Sequence, residues 1–379
     1  MSANPEELLA DPQALEESDH GGTLRLAAMG GARIRRAAAL REVDPAADEA
    51  LRAVAGEGRP RALVLVGYGT GATVASLISA VVGSGSNVPI LSVPGPVLPG
   101  WIGPLDLVVV ASTTGRSPEL AAALTEAGRR GCRVVVVAPP ASPVGRLAAP
   151  ARAALLGMAD EAAPVWARLW SVAIPVLLAV EAAGVLPAQP YEAAAAAADD
   201  AAVRFRPSQE TFVNPAKEIA LRCAERPVAV WAGGGVANIA AGRLADQAAL
   251  RAGRPVLHAA LPDLGRGQLG LLDGKSAAAA SADLFHDPEI DGPRAGGSAP
   301  AFVLLAEEGV DPRSEVVEAM VRERDLPLTT VIAEQPSSLE RAAYLLALAD
   351  FTAGYLAIAV SAGPDQGKSI EEFRVRTAQ

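Results

Sequence analysis

Residues 107–124, LVVVASTTGRSPELAAAL, join a run of small apolar residues to a cluster of hydroxyl residues and then to an alanine-rich pattern. The apolar run predicts a buried strand, and the pattern after Pro118 predicts a helix. Ser117 suits the N-cap position of that helix, and Pro118 suits its first turn. The stretch therefore predicts a strand–loop–helix unit with hydroxyl groups at the carboxyl end of the strand.

Similar apolar runs occur on both sides of this stretch and again in the second half of the chain. They cover residues 62–67, 88–93 and 132–138, and then 228–233, 255–261, 301–307 and 328–334. Helical patterns separate most of them, which is typical of parallel sheets covered by helices on both faces. We predict an α/β fold of two tandem units: residues 1–187, with helices before the first sheet, and residues 188–379, with a long C-terminal helix. Residues 273–299, rich in Gly, Ala, Ser and Asp, predict a looped insertion.

Composition narrows the class of protein. The 379 residues are 50% hydrophobic but only 4% aromatic, and the net charge is −10. Such a charge argues against nucleic acid as a partner, because the phosphate backbone requires a basic surface. The two cysteines and three histidines show no metal-ligand spacing, so we expect no metal and no cofactor.

The sequence also bears on membranes and localisation. Residues 171–186 are apolar but contain Pro175 and Glu181 and are short for a membrane span, so they predict a buried helix. The acidic N-terminus has no apolar signal core, and we expect a cytoplasmic protein without a membrane partner.

The hydroxyl cluster is a candidate anion site. In an open parallel sheet, ligands bind beyond the carboxyl ends of the strands, where helix N-termini offer free N–H groups. Ser112, Thr113, Thr114 and Ser117 lie at such a point, and so does the glycine loop of Gly69, Thr70 and Gly71. An alternative stays open for each group: Ser117 only caps the helix while the other hydroxyls line a turn, and the glycines only allow tight packing. The loop has no P-loop lysine, so nucleotide chemistry is not indicated.

These residues resemble a known family. ASTTGRSPEL (111–120) resembles the phosphosugar-binding signature of sugar isomerase (SIS) domains. FVNPAKEIALRCAERPVAVWAG (212–233), PSSLERAAYLLALADFTAGYLAI (336–358) and GPDQGKSIEEFR (363–374) are similar to segments of the bifunctional phosphoglucose/phosphomannose isomerases. The resemblance extends over about residues 60–375.

The resemblance carries several expectations. It implies two SIS domains, each a five-stranded parallel sheet between helices, and a homodimer that binds a phosphosugar. It implies interconversion of glucose or mannose 6-phosphate with fructose 6-phosphate through a cis-enediol. Lys217 would add positive charge near the phosphate or be solvated, and Arg374 stands where the family often has lysine.

One departure puts the activity in doubt. The family motif Pro-Glu-Leu-Asn-His-Asn-Glu corresponds here to PDLGRGQL (262–269), so the family's last Glu is Gln268 and its His is Arg266. A glutamine amide cannot titrate and so cannot be the base that isomerisation needs. Asp263 is either a relocated base or a turn residue, and His286, in the insertion, is either a proton shuttle or a loop residue. The alternative function is that of a non-catalytic phosphosugar sensor or regulatory subunit. His258, in an apolar run, is expected to be a core histidine.

Overall fold

The computed structural model describes residues 4–158, 162–274, 299–362 and 367–377. They divide into two compact units, each built around one parallel sheet. The first-sheet unit contains residues 29–196 and 337–340, and the second-sheet unit contains the described residues within 1–28, 197–336 and 341–379. Residues 4–28, which precede the first sheet in the sequence, thus group with the second sheet. A domain boundary at 187/188 remains a prediction.

The first sheet has five parallel strands in the order β2-β1-β3-β4-β5. They are Leu63–Val66 (β1), Ile90–Val93 (β2), Leu107–Ala111 (β3), Arg133–Ala138 (β4) and Ala154–Gly157 (β5). The first four are the strands predicted from the apolar runs, and β5 is an additional edge strand. The three central strands are almost wholly buried, which explains why they read as continuous apolar runs.

The second sheet is also parallel, with the order β7-β6-β8-β9. Its strands are Val228–Gly233 (β6), Val256–Ala260 (β7), Ala301–Glu307 (β8) and Leu328–Ala333 (β9), one for each predicted run. Within the described part of the chain this sheet has four strands, one fewer than the resemblance implies. Its core holds the largest aromatic pair, Trp231 and Phe302, whose ring centroids are 4.6 Å apart.

Helices cover both sheets and account for most of the remaining chain. The helices up to the end of the first-sheet region are Pro5–Ala10 (α1), Pro12–Ser18 (α2), Thr23–Ala28 (α3), Gly30–Ala38 (α4), Leu40–Val43 (α5), Pro45–Gly56 (α6), Thr70–Val82 (α7), Pro118–Arg129 (α8), Pro143–Arg146 (α9) and Leu169–Ala182 (α10). Those that follow are Tyr191–Phe205 (α11), Pro215–Glu225 (α12), Gly235–Ala252 (α13), Arg313–Arg322 (α14), Ser338–Ala359 (α15) and Lys368–Thr377 (α16). The predicted insertion at 273–299 lies almost entirely outside the described residues.

Within the described residues, two segments are long and apolar enough to cross a membrane, Val165–Ala182 and Ser338–Ala359. Their residues are 72% and 89% buried inside the protein. Such burial is typical of core helices in soluble proteins, and α10 confirms the buried helix predicted at 171–186, with Pro175 inside it.

Candidate functional site

The loop after β3 holds the predicted hydroxyl cluster. Ser112 and Thr113 are buried, with 8% of each residue exposed, while Thr114 and Ser117 are half-buried. The Ser112 hydroxyl accepts a hydrogen bond from the Gly115 N–H at 2.9 Å and so closes the turn. Thr114 and Ser117 are therefore the two side chains of this cluster that a ligand can reach most readily.

Gly115 lets this loop approach the next one closely. Its φ is +61°, and a Cβ atom built on it would lie 1.9 Å from the Ser142 Oγ. Its carbonyl oxygen accepts a hydrogen bond from the Val144 N–H at 2.9 Å. The position thus requires glycine for both its backbone conformation and its surroundings.

Ser117 is the N-cap of α8, as predicted. Its Oγ accepts a hydrogen bond from the Leu120 N–H at 3.0 Å and donates one to Glu119 Oε2 at 2.7 Å. The Tyr68 hydroxyl donates to the same carboxylate oxygen at 3.1 Å. The Ser117 hydroxyl, and to a smaller extent Tyr68, hold the pKa of Glu119 below its usual value. This network joins the loop after β1 to the loop after β3.

The glycine loop after β1 lies against the end of β3. A Cβ on Gly67 would lie 3.1 Å from the Ala111 carbonyl oxygen, and one on Gly71 only 2.8 Å from it. Gly69, with φ +55°, precedes α7 and gives that helix no side-chain cap. In the first turn of α7, which begins at Thr70, the Gly71 and Thr73 N–H groups donate to the carbonyl oxygens of Tyr68 and Gly69 at 3.1 Å. Among the described residues, this leaves the Thr70 and Ala72 N–H groups for a ligand or water.

The structure therefore brings two predicted groups together at one edge of the first sheet. Gly69, Thr70 and Gly71 come from the loop after β1 and the start of α7, and the hydroxyl cluster comes from the loop after β3. Together they combine an uncapped helix N-terminus with neutral hydroxyl donors. Such an arrangement suits an anion.

Gln268 has a structural role that the sequence did not show. Its Oε1 accepts a hydrogen bond from the Trp231 Nε1–H at 3.0 Å, and its Nε2 donates to the His258 carbonyl oxygen at 2.9 Å. Both ends of the amide are thus engaged within the second-sheet unit. A glutamate here would lose the second bond, because an ionised carboxylate has no donor. The amide thus has a bracing role, and the catalytic-site position that the resemblance gives Gln268 stays a prediction.

Asp263 and Arg266 lie in a short 3-10 helix, Asp263–Arg266, that follows β7. Both side chains are exposed. They lie beyond the carboxyl end of β7, where a ligand-facing group belongs in a parallel sheet. Asp263 as a relocated base and Arg266 as a catalytic-site residue at the family's histidine position remain predictions.

The prediction that Lys217 lies near the phosphate or in solvent is wrong. It is fully buried, and its Nζ donates hydrogen bonds to the carbonyl oxygens of Leu9, Pro207 and Gln209 at 2.7, 2.7 and 2.9 Å. An ammonium has three donors, so none is left for a phosphate. Burial lowers the pKa of Lys217 to about 8. We therefore remove Lys217 from the candidate site, and it is not solvated either.

The prediction that His258 is a core histidine is also wrong. It lies in β7, an edge strand of the second sheet, and is exposed instead of buried in the core. Its apolar neighbours in the sequence belong to an edge strand whose outer side no other described strand covers, and Leu257 is also 52% exposed. His286 lies outside the described residues. Arg374 lies in α16, but its side chain is likewise outside the described part.

Several residues of the site were not singled out from the sequence. Tyr68 shares Glu119 with Ser117, and the Arg168 Nη1 donates to the Thr113 carbonyl oxygen at 2.9 Å. An aromatic residue inside a glycine loop was an available signal for Tyr68. Nothing local marks Arg168, which is 55 residues away in the chain from the carbonyl group that it binds.

A cavity of about 580 Å³ lies elsewhere, within the second-sheet unit beside β9. Arg204, Glu218, Glu334 and Tyr344 are among its lining residues, and no predicted site residue is. Glu218 is already paired with Arg222 at 2.7 Å, and we assign no ligand to this cavity. Within the described ranges, no group of three or more His, Cys, Asp or Glu residues is arranged to hold a metal ion.

Comparison with known proteins finds one matching family, in the second half of the chain. Residues 212–376 match the bacterial phospho-glucose isomerase C-terminal SIS domain family. This second part of the chain is similar to the bacterial phosphoglucose isomerases, in agreement with the residues quoted above. No curated protein matches the sequence.

Solved structures share the fold across nearly the whole chain. Tagatose-6-phosphate ketose/aldose isomerase from Escherichia coli has a TM-score of 0.66 at 16% identity, with 92% of this chain and 97% of that chain covered. A hypothetical protein from Thermus thermophilus has a TM-score of 0.63 at 16% identity, with 98% and 97% covered. A glucose-6-phosphate isomerase like protein from the same organism has a TM-score of 0.52 at 18% identity, with 84% and 88% covered. At these identities the likeness establishes the fold.

Proposed function

We propose that this protein binds a phosphosugar of the hexose 6-phosphate class at the carboxyl end of the first sheet. The observation that carries the proposal is the uncapped N-terminus of α7 beside the half-buried hydroxyls of Thr114 and Ser117. Two of the similar structures are named for sugar 6-phosphate isomerases, which agrees with this ligand class.

Binding has a defined chemical consequence for Ser117. In the free protein its hydroxyl donates to Glu119, which is an unfavourable neighbour for a phosphate dianion. We infer that the Ser117 hydroxyl turns from Glu119 to the phosphate when the ligand binds, while Tyr68 continues to hold the carboxylate. The N–H groups of α7 and the Thr114 hydroxyl supply the remaining donors, and neutral donors of this kind bind anions at helix N-termini without a lysine.

Thermal unfolding tests this proposal. We expect fructose 6-phosphate and glucose 6-phosphate to raise the melting temperature and free glucose to leave it unchanged. At 100 times the dissociation constant, a ligand adds about 2.7 kcal/mol to the free energy of unfolding. Thr114→Val removes one donor and keeps the side-chain shape, so it should abolish or strongly weaken the shift.

Thr125→Val is the matched control. Thr125 lies in α8, and its hydroxyl donates to the Ala121 carbonyl oxygen of the same helix at 2.8 Å. The ligand shift of this variant should equal that of the unchanged protein. If no phosphosugar shifts the melting temperature at millimolar concentration, or if Thr114→Val responds as fully as Thr125→Val, the proposed site is wrong.

We propose that the primary function is to bind a phosphosugar without converting it, as a sensor or regulatory subunit does. Gln268 cannot take a proton from carbon, and it is already held by Trp231 and the His258 carbonyl group. Loss of a general base costs about 10²–10⁴-fold in rate. We therefore expect coupled assays to detect no conversion of fructose 6-phosphate to glucose or mannose 6-phosphate.

Aldose–ketose isomerisation remains the second candidate function because Asp263 is exposed beyond the end of β7. A carboxylate at this point has the chemistry of a relocated base. Turnover that disappears in Asp263→Asn and persists in Asp273→Asn, an exchange of the same kind further along the chain, would establish the enzyme. Turnover in neither variant nor the unchanged protein would support the sensor.

We also propose a homodimer in the cytoplasm, without nucleic acid or membrane partners. The acidic net charge of −10 supports the absence of a nucleic-acid surface. The family resemblance supports the dimer, and light scattering on the purified protein would give its mass.

A further inference from the structure

The second sheet has a strand end that corresponds to the candidate site, but it carries acidic side chains where the first sheet carries hydroxyl groups. Strand β8 lies next to β6, as β3 lies next to β1. After β3 the chain carries the hydroxyl cluster, whereas β8 ends at Glu307 and continues with Glu308 and then Asp311. Carboxylates thus stand at the strand end where the first sheet has hydroxyl donors.

Glu307 is buried, with 6% of the residue exposed, and it contacts the N-terminus of α13. Its Oε1 accepts hydrogen bonds from the Val236 N–H at 2.8 Å and the Ala237 N–H at 3.2 Å. These are N–H groups of the first turn of α13, the kind that bind an anion in other proteins. In this protein a side chain of the same chain already occupies them.

The surrounding residues are matched to this carboxylate. Gly234, the N-cap of α13, has φ +131°, and a Cβ there would lie 2.2 Å from Glu307 Oε1. Glycine therefore lets the carboxylate reach the helix. The Arg341 Nη1 lies 3.9 Å from Oε2 and offsets part of the buried charge.

The corresponding helix of the first sheet differs in this respect. Both α7 and α13 follow a glycine with positive φ that has no side chain to cap the helix. Glu307 supplies the missing acceptor at α13, whereas no side chain among the described residues does so at α7. We propose that Glu307 closes the strand end of the second sheet to anionic ligands, so that each chain binds a single phosphosugar, at the first sheet. The identity of the ligand rests on the function proposed above, whereas the role of Glu307 does not.

Two effects make Glu307 an effective barrier. The carboxylate fills the space beside the α13 N–H groups, and its negative charge repels a phosphate dianion at short range.

Isothermal titration with fructose 6-phosphate tests the stoichiometry. We expect saturation at one ligand per chain. Two ligands per chain would overturn the inference while leaving phosphosugar binding intact. If no ligand binds, the proposed function fails and the role of Glu307 is decided by a second measurement that needs no phosphosugar.

That measurement is chemical rescue of Glu307→Ala by acetate, which reproduces the missing carboxylate. At equal ionic strength, replacing chloride by acetate should raise the melting temperature of Glu307→Ala by about 2 °C, as about 1 kcal/mol of added stability does in a large domain. Glu307→Gln keeps an acceptor in the same space and is the matched control, with no expected response. Absence of rescue in Glu307→Ala, or an equal rise in the unchanged protein, would overturn the inference. If Glu307→Ala does not fold, Glu307→Ser is used in the same way.

Discussion

Removal of the Lys217 ammonium should destabilise the second-sheet unit, because this buried group holds three carbonyl oxygens. Lys217→Met leaves the carbonyl oxygens of Leu9, Pro207 and Gln209 without their donor. Because an unsatisfied buried acceptor costs about 1–3 kcal/mol, we expect the free energy of unfolding to fall by about 3 kcal/mol or more. Urea denaturation measures it, and Lys368→Met, at the exposed start of α16, should change it by less than about 1 kcal/mol. Equal effects of the two substitutions would contradict the structural role of Lys217.

The same lysine predicts a dependence on pH. Burial lowers the pKa of Lys217 to about 8 in the folded protein, below the ordinary lysine value of 10.5. The folded state therefore binds fewer protons than the unfolded state between these two pH values, and stability rises with pH there. The free energy of unfolding of the unchanged protein, measured relative to Lys217→Met, should thus increase from about pH 8 to about 10.5. A flat difference across this window would show that the pKa is not lowered.

The sequence predicted the role of a single residue correctly where that role depends on its neighbours in the chain. Ser117 followed by proline predicts an N-cap, and the structure has that cap. Lys217 and Gln268 were interpreted from residue type and family position, but their roles depend on partners such as Leu9 and Trp231 that are distant in the chain. No pattern in the sequence specifies such partners, so these roles needed the structure.

At the scale of secondary-structure elements, the conformation of the loop between β3 and α8 depends on Gly115, which has no side chain. Gly115→Ala places a Cβ 1.9 Å from Ser142 Oγ and keeps a φ of +61° that alanine disfavours. Moving Ser142 would weaken its hydrogen bond to the Pro139 carbonyl oxygen. We expect a loss of about 2 kcal/mol or more in the free energy of unfolding, measured by urea denaturation.

Gly56→Ala is the control for this change. Gly56 ends α6, and a Cβ there would meet nothing within 4 Å. Alanine at such a position is expected to be neutral or to stabilise the protein by about 0.5–1 kcal/mol. A Gly115→Ala variant as stable as Gly56→Ala would show that the loops after β3 and β4 are not packed as described.

The elements themselves were predicted well where burial is complete. Eight of the nine strands in the described part of the chain correspond to apolar runs, because strands buried on both faces need apolar residues at every position. β5 was missed because it has only four residues, ALLG, and lies at an edge where three of them are half-buried. β7 was predicted as a strand, but its position at an edge, which exposes His258, is a property of the sheet order and not of the local sequence.

For the whole molecule, the sequence and the family resemblance together predicted the α/β class and two sheets in tandem. They did not predict that the described second sheet has four strands or that residues 4–28 group with it. Both depend on long-range packing. The candidate hydroxyl and glycine loops were expected at the strand ends of the first sheet, and they lie there, since parallel strands bring their following loops to one edge. The ligand remains the central proposal.

A crystal structure of the protein with fructose 6-phosphate tests that proposal most directly. We predict that the phosphate group lies within hydrogen-bond distance of the N–H groups at the start of α7 and of the hydroxyls of Thr114 and Ser117. Glu307 should still accept its hydrogen bonds from the N–H groups of α13. A phosphate group bound at the strand ends of the second sheet, or crystals grown at saturating ligand with only solvent beside Thr114, would contradict it.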